Sequence, residues 1–322
     1  MKNKIDSSIK EEEFKDLGFG SKISGQSRRL INKNGSFNVE RRGLPFFESL
    51  SFYHSLLEMS WIRFNLVVLL SYIVVNLFFA SLYMLAGVEH LGGITGTTTL
   101  EKFFDAFFFS GQTITTVGYG VIHPEGFLTS MISLVESMTG LLGFALATGL
   151  LYGRFSRPNA KILYSKEAVI APYKDTTAFE FRIANARKNQ LIDTEVLVVL
   201  TMKYSNDGKA LRSYYELPLE RDKINFFPLT WTIVHPITEE SPLKGMTGEK
   251  LRQSGAEFLI LIKAFDDTFS QSVHSRSSYT AEEIIWNSKF VNIYSESVQG
   301  ITAVDMSRFH EIEKIEPTAE KT

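Results

Sequence analysis

The 322-residue chain has a formal net charge of −2 and a pI near 6.3, which argues against nucleic acid as its main partner. It has no cysteine, so disulfides, zinc–thiolate sites and cysteine nucleophiles are excluded. Its 44% hydrophobic and 22% charged content is ordinary as an average, but the apolar residues are gathered into a few stretches.

The first residues, "MKNKIDSSIKEEEF", have no apolar core beside their charges and do not read as a secretory signal. Residues 1–45 read as a polar N-terminal arm containing Arg28, Arg29 and "NKNGSFNVERR". Over residues 46–60 an amphipathic helix is expected. Phe46, Leu50, Tyr53, Leu57 and Trp61 recur at helical spacing, while Glu48, Ser51, Ser55 and Glu58 fall on other faces. Such a helix suits the membrane surface.

From Phe64 to Val88 no residue is charged, and a span over 62–88 exceeds the ~20 residues that cross a bilayer. A second span is expected over 126–153, with Glu136 as its single charge. A carboxylate there has two readings: a functional group sensing pH or tuning ion occupancy, or a structural carboxyl bonded to Ser110 or Thr113. Gly140, Gly143 and Gly149 weaken this helix by nearly 1 kcal/mol each relative to Ala, and permit close packing or bending.

Arg41, Arg42 and Arg63 precede the first span, and Arg154, Arg157, Lys161 and Lys166 follow the second. The connection holds Lys102 alone against Glu89, Glu101, Asp105 and Glu125. By the positive-inside rule both termini are cytoplasmic, and so is the region 159–322. Arg63, Arg154, Arg157 and Lys161 would also attract anionic phospholipid headgroups, at roughly 1 kcal/mol each.

Between the spans a helix over 100–115 is too short to cross, and "TTVGYGVIHPEG" follows it. Non-helical backbone at membrane depth is tolerated only inside protein or along a water-filled path. Gly118 and Gly120 adopt φ > 0 cheaply, so the intervening carbonyls can be turned toward one axis. Four copies would stack rings of oxygens that replace the hydration shell of a potassium ion. The ligands would be the carbonyls of Thr116, Val117, Gly118 and Tyr119 with the Thr116 hydroxyl, in a filter ending at Gly120. This stretch resembles the potassium-channel signature Thr-Val-Gly-Tyr-Gly.

Past residue 159, "TEVLVVLTMKY", "SYYELPLE", "FFPLTWTIVHPI" and "EFLILIKAF" are short, β-branched and aromatic, with turns between them. They predict a β-sandwich. "TGEKLRQSG" alone reads as a brief helix, with Thr247 at its N-cap and Gly255 past its end. The tail "DMSRFHEIEKIEPTAEKT" is expected to add one strand.

From about Asp16 to Tyr294 the chain resembles the inward-rectifier potassium channel family in its prokaryotic branch. The matching stretches include "QSRRLINKNGSFNVERRG", "SLLEMSWIRFN", "GFALATGLLYGRFSRPNAKI", "LTWTIVHPITEESPL" and "SRSSYTAEEIIW". The resemblance implies a passive, homotetrameric channel of the inner membrane, neither an enzyme nor cofactor-dependent. Its fold would be a membrane α-helical pore domain over 61–158, then an immunoglobulin-like all-β cytoplasmic sandwich.

The resemblance also assigns roles. Residues 46–60 become a slide helix, and residues 36–40 add an edge strand to a cytoplasmic domain, that of their own chain or of a neighbour. Tyr152 falls at the bundle-crossing gate, though it equally suits an interfacial anchor. Phe144 stands where strong rectifiers carry an acid or amide, so magnesium or polyamine block from the cavity should be weak. Asp266 and Asp267 fall at a constricting cytoplasmic loop, or are simply solvated surface acids. Gln112 and Val121 replace acids that often meet behind the filter; hydrogen bonding by Gln112 and packing by Val121 are expected instead. Lipid headgroups at the span–domain junction would regulate opening. The competing reading is a poorly selective or non-conducting membrane sensor with a ligand-binding cytoplasmic domain. An enzyme has little support, since His235 in "TIVHPI" is a lone histidine on a strand.

Overall fold

The computed structural model describes residues 29–39, 52–156, 160–187, 189–206, 209–227, 229–295 and 303–315. Two compact units emerge, one over 42–157 and one formed by 1–41 with 158–322.

The first unit is helical. Its elements are α1 (Phe52–Glu58), α2 (Trp61–Gly87), α3 (Thr99–Ile114) and α4 (Phe127–Phe155). The 27 residues of α2 and 29 of α4 rise about 40 Å each at 1.5 Å per residue, more than a ~30 Å hydrocarbon core needs. Only 22% of the most apolar window of α2 and 6% of that of α4 is buried, so neither is the hidden core helix of a soluble protein. A two-residue ladder, β1 (Leu91–Gly92) with β2 (His123–Pro124), closes the connection.

Before α2 the expected surface helix is described only over α1; Phe46 and Leu50 lie outside the described residues. The chain breaks at Met59 and Ser60, so Trp61 opens α2 instead of extending α1. Leu57 is buried as its spacing requires and Leu56 joins it, while Tyr53 is exposed.

Arg154 fixes this corner. Its Nη1 donates to the carbonyls of Leu56 (2.6 Å) and Leu57 (3.1 Å), and Nη2 to that of Met59 (2.7 Å). The guanidinium carbon sits 4.7 Å from the ring centres of both Trp61 and Phe64. The last carbonyls of a helix have no intrahelical partner, and a cation is the favoured cap. As a headgroup ligand, Arg154 is therefore corrected: its fork is already engaged within its own unit.

The three long helices meet behind the end of α3. Gly140 is where α4 crosses it: a Cβ there would stand 2.0 Å from the Ile114 carbonyl oxygen. Gly143 and Gly149 have open space at the same position, so of the three glycines Gly140 is needed for packing within the chain.

The second unit is a two-layer sandwich. Its strands are β3 (Ile162–Tyr164), β4 (Ala168–Tyr173), β5 (Thr176–Asn185), β6 (Leu191–Asn206), β7 (Lys209–Glu216), β8 (Lys223–Phe227) and β9 (Thr230–Pro236), then β10 (Glu257–Asp266), β11 (Gln271–Thr280) and β12 (Ile284–Trp286). One sheet runs β11-β10-β6-β7 with β8 also on β6; the other runs β12-β4-β5-β3 with β9 on β5. Alternation along β10 sends Phe258, Ile260 and Ile262 into the shared core, where Phe258 stacks on Phe179 at 4.2 Å. Two further short ladders, β13 (Ser288–Phe290) with β16 (Ile312–Lys314) and β14 (Tyr294–Ser295) with β15 (Ala303–Val304), hold the C-terminal stretch. The brief helix α5 (Gly248–Gln253) begins at Thr247, whose hydroxyl accepts from the Lys250 N–H.

Within its own chain, the described residues 36–39 of the arm form no strand; a tight turn through Gly35 (φ 82°) brings Phe37 back onto Ile31. Leu30 and Ile31 instead cover the outer face of the β6–β10 sheet against Val199 and Leu259. The buried Glu257 carboxylate anchors them by accepting the N–H groups of Leu30 (2.7 Å) and Ile31 (3.1 Å).

Two substitutions test the helical packing. Gly140→Ala should destabilise the detergent-solubilised protein by roughly 1–3 kcal/mol in a denaturant melt. Gly143→Ala, whose methyl meets no atom of its own chain, is the comparison. Arg154→Gln should cost roughly 1.5–3 kcal/mol and raise hydrogen exchange over residues 52–60. Arg154→Lys should recover only part of this, since a point charge cannot span three carbonyls.

Candidate pore and filter

The helix α3 is aimed by its own start. The Glu101 N–H donates to the Thr98 hydroxyl, and the Glu101 carboxylate accepts the Thr98 N–H (2.9 Å) and Thr97 N–H (2.8 Å). This capping box fixes where the helix begins. The Asp105 carboxylate accepts the N–H groups of Thr95 (3.0 Å) and Gly96 (2.9 Å), folding the preceding loop onto it. At the other end the carbonyl of Gln112 accepts the N–H groups of Val117 (2.9 Å) and Gly118 (3.3 Å). The ribbon thus starts directly from the negative end of the α3 dipole, which favours a cation.

Along the ribbon the backbone alternates. Thr116, Gly118 and Gly120 have φ of 58°, 53° and 78°, while Val117 and Tyr119 are not left-handed. Alternating handedness gathers successive N–H groups on one side and leaves the carbonyls to the other. Sequence reasoning found the two glycines but missed Thr116. A β-branched residue there stores roughly 1–3 kcal/mol, and nothing in its side chain announces it.

The ribbon is bare in a single chain. Tyr119 is 75% exposed, and a Cβ added at Gly118 or Gly120 would meet no atom within 4 Å. Val121 is 69% exposed, so the expected packing behind the filter is absent within the chain, and Gln112 contributes its backbone carbonyl instead of its amide. The support that sequence reasoning missed is Gly93 (φ 84°): a Cβ there would lie 1.9 Å from the Val121 carbonyl oxygen. The signal was the Gly92-Gly93 pair after the first span.

Glu136 is fully buried at the junction of the three helices. Its carboxylate accepts from the Tyr83 hydroxyl at 2.6 Å and from the Ser110 hydroxyl. Ser110 Oγ also lies 3.0 Å from Asn76 Oδ1, and the Asn76 amide donates to the Tyr72 carbonyl at 2.7 Å. Of the two partners expected, Ser110 is engaged and Tyr83 replaces Thr113. The acid thus ties α2 and α4 to the back of α3.

Further along α4, Phe144 and Tyr152 are 75% and 74% exposed, presenting large rings on a helix little buried by its own chain. Arg63 and Lys161 are exposed, and Arg157 lies outside the described residues. Asp266 is corrected. It is fully buried, accepting from Asn189 Nδ2 (2.7 Å) and the N–H groups of Thr268 and Phe269, so it anchors the turn after β10 and is not a solvated acid. Asp267 beside it is exposed. His235 is buried between the Pro218 carbonyl (2.6 Å) and the Ser241 hydroxyl (2.7 Å), and burial lowers its pKa.

Comparison with known proteins bears on the whole arrangement. The model of the inward rectifier potassium channel C-terminal domain matches residues 162–322, and an ion channel model matches 67–157. Inward rectifier potassium channel Kirbac3.1 of Paramagnetospirillum magnetotacticum is 38% identical over 295 residues, covering 91% of this chain and 98% of that one. ATP-sensitive inward rectifier potassium channel 12 of Gallus gallus is 26% identical over 94% of this chain and 76% of its own length. Human inward rectifier potassium channel 4 is 29% identical over 68% of this chain and 51% of its own. With two helices long and apolar enough to span a bilayer, the glycine-alternating ribbon between them and the β-rich unit that follows, the chain belongs to the prokaryotic inward rectifier potassium channel family.

Proposed function

We propose that residues 116–120 form the selectivity filter of a homotetrameric potassium channel in the cell's inner membrane, with both termini cytoplasmic. The observation that carries this is the bare ribbon: alternating left-handed residues, apolar side chains without cover in their own chain, and a helix dipole pointing at its base. Main-chain oxygens at membrane depth need partners, and ions inside a ring of four copies supply them. Proteins of this family are channels, so the chain is not an enzyme, and the permeant ion is its only required ligand.

The remaining assignments follow from position along α4. Tyr152 narrows the cytoplasmic exit, where four rings would close the path by filling and drying it. Phe144 faces the cavity without charge, so internal magnesium and polyamines block weakly and rectification is slight. Of the basic residues given to anionic lipid, Arg63, Arg157 and Lys161 keep that role, while the Arg154 fork is held by carbonyls of its own unit. Asp267 remains the single acid offered to the cytoplasmic path.

Rubidium uptake into proteoliposomes tests conduction. Uptake should be competed by potassium and not by sodium, and Gly118→Ala should abolish it by forcing an L-residue into φ > 0. Equal competition by sodium would refute the filter. For the cavity, Phe144→Asp should tighten internal polyamine block at least tenfold, about 1.4 kcal/mol; an unchanged block would remove Phe144 from the pore lining.

A further inference from the structure

The ladder of β1 and β2 carries a histidine and a carboxylate that converge on one point. His123 lies directly opposite Gly92, and Glu125, two residues further on, falls on the same face by strand alternation. His123 Nε2 and Glu125 Oε1 stand 3.4 Å apart, with both side chains just over half exposed. Gly92 makes room for them: a Cβ there would lie 2.3 Å from Glu125 Oε1 and 2.6 Å from His123 Nε2, so any side chain would displace both. The backbone beneath is fixed. Pro124 between them restricts its own φ, the Glu125 N–H donates to the His90 carbonyl at 2.9 Å, and the alternate residue Leu91 is buried.

The spacing suits a metal better than a hydrogen bond. An N–H···O bond favours about 2.7–3.2 Å. Two ligand atoms held tetrahedrally at about 2.0–2.2 Å from one zinc ion stand roughly 3.4 Å apart. A second exposed pair, His54 with Glu58, lies at 2.9 Å, the range of a direct bond. Charge agrees with a cation. From residue 89 to 125 Lys102 is the only Lys or Arg, against Glu89, Glu101, Asp105 and Glu125. Glu101 and Asp105 are taken up by backbone N–H groups, whereas among the described residues Glu125 pairs with His123 alone. A mixed nitrogen and oxygen pair favours zinc, copper or nickel, while magnesium and calcium prefer oxygen alone.

We infer that His123 and Glu125 bind a divalent transition cation, zinc in kind, one per chain. Among the described residues no third His, Cys, Asp or Glu joins the pair, so water completes the coordination shell and the ion stays exchangeable. On the proposed topology the ladder lies on the outer face of the membrane, so the ion comes from outside the cell. Gly93 follows β1 against the Val121 carbonyl, and His123 is three residues past Gly120. A dication bound there sits beside the end of the proposed filter and opposes the entry of another cation. That effect on flux rests on the filter reading; the binding does not.

The test uses the full-length protein purified without a polyhistidine tag. In detergent, calorimetric titration with zinc chloride should give saturable binding of one ion per chain, and magnesium chloride at the same concentrations should give none. His123→Gln and Glu125→Gln, both at exposed side chains and so expected to fold, should each weaken binding at least tenfold, since losing even an outer-shell partner of a metal costs about 10–100-fold. His54→Gln should bind like the parent. Copper(II) in place of zinc should show one coordinated imidazole nitrogen by electron paramagnetic resonance, absent in His123→Gln. No saturable zinc binding, equal binding of magnesium, or ladder variants that bind like the parent would overturn the inference. In proteoliposomes, zinc added outside should lower rubidium uptake by the parent and leave His123→Gln unaffected. Zinc binding with uptake unchanged would overturn the coupling to the pore alone, and zinc binding without potassium-competed uptake condemns the filter alone.

Discussion

A peptide carbonyl in hydrocarbon must have a partner, and the helical unit is organised around five residues that decline the ordinary ones. Helices α2 and α4 satisfy their backbones internally. The ribbon from Thr116 to Gly120 does not, because its alternating φ values turn successive oxygens away from any strand or helix ladder. Holding such a backbone costs free energy at Thr116, and that conformation persists only where neighbours over-determine it. Those neighbours are identifiable. The Gln112 carbonyl fixes the ribbon's base, Gly93 lies against its exit, and Glu136 with Ser110, Tyr83 and Gly140 locks the helix that aims it.

This arrangement bears on Gln112 and Val121, which stand where the resemblance implies a pair of acids. An ion pair behind a filter stabilises little beyond its own desolvation cost, while a lone buried charge costs about 3–5 kcal/mol. Removing both members is therefore tolerable if the backbone is held in another way. Here main-chain contacts at each end take that part, at Gln112 and at Gly93. Neither depends on a titratable side chain.

What was legible in the sequence was whatever depends on local pattern. Both long helices agree with the expected spans over 62–88 and 126–153 to within two residues, α3 follows the aromatic run, and Thr247 caps the helix it was expected to cap. The misreadings share a cause, a partner far along the chain. Arg154 reads as one of a row of membrane-facing cations until its fork meets the carbonyls of Leu56, Leu57 and Met59. Asp266 reads as a surface acid until Asn189 reaches it. Leu30 and Ile31 read as part of a polar arm until the Glu257 carboxylate captures their N–H groups. Thr116 is different in kind: its strain lies in the backbone, and no side-chain pattern encodes a positive φ at a threonine.

The three glycines of α4 show how far one chain can explain itself. They look alike in sequence, each a weak helix former in an apolar run. Gly140 is accounted for by the Ile114 carbonyl, which no Cβ could approach so closely. Gly143 and Gly149 face empty space, as do Phe144, Tyr152 and the ribbon itself. A helix that hides 6% of its most apolar window against its own chain has to set the rest against lipid, against other copies or along the proposed ion path. Lipid tails shape themselves to any side chain and have no use for a glycine, whereas a neighbouring helix does, because small residues let backbones come close. On the proposed tetrameric reading, the two unexplained glycines, on the helix with the least intramolecular cover, fit either a close approach of identical subunits or the wall of the cavity those subunits enclose.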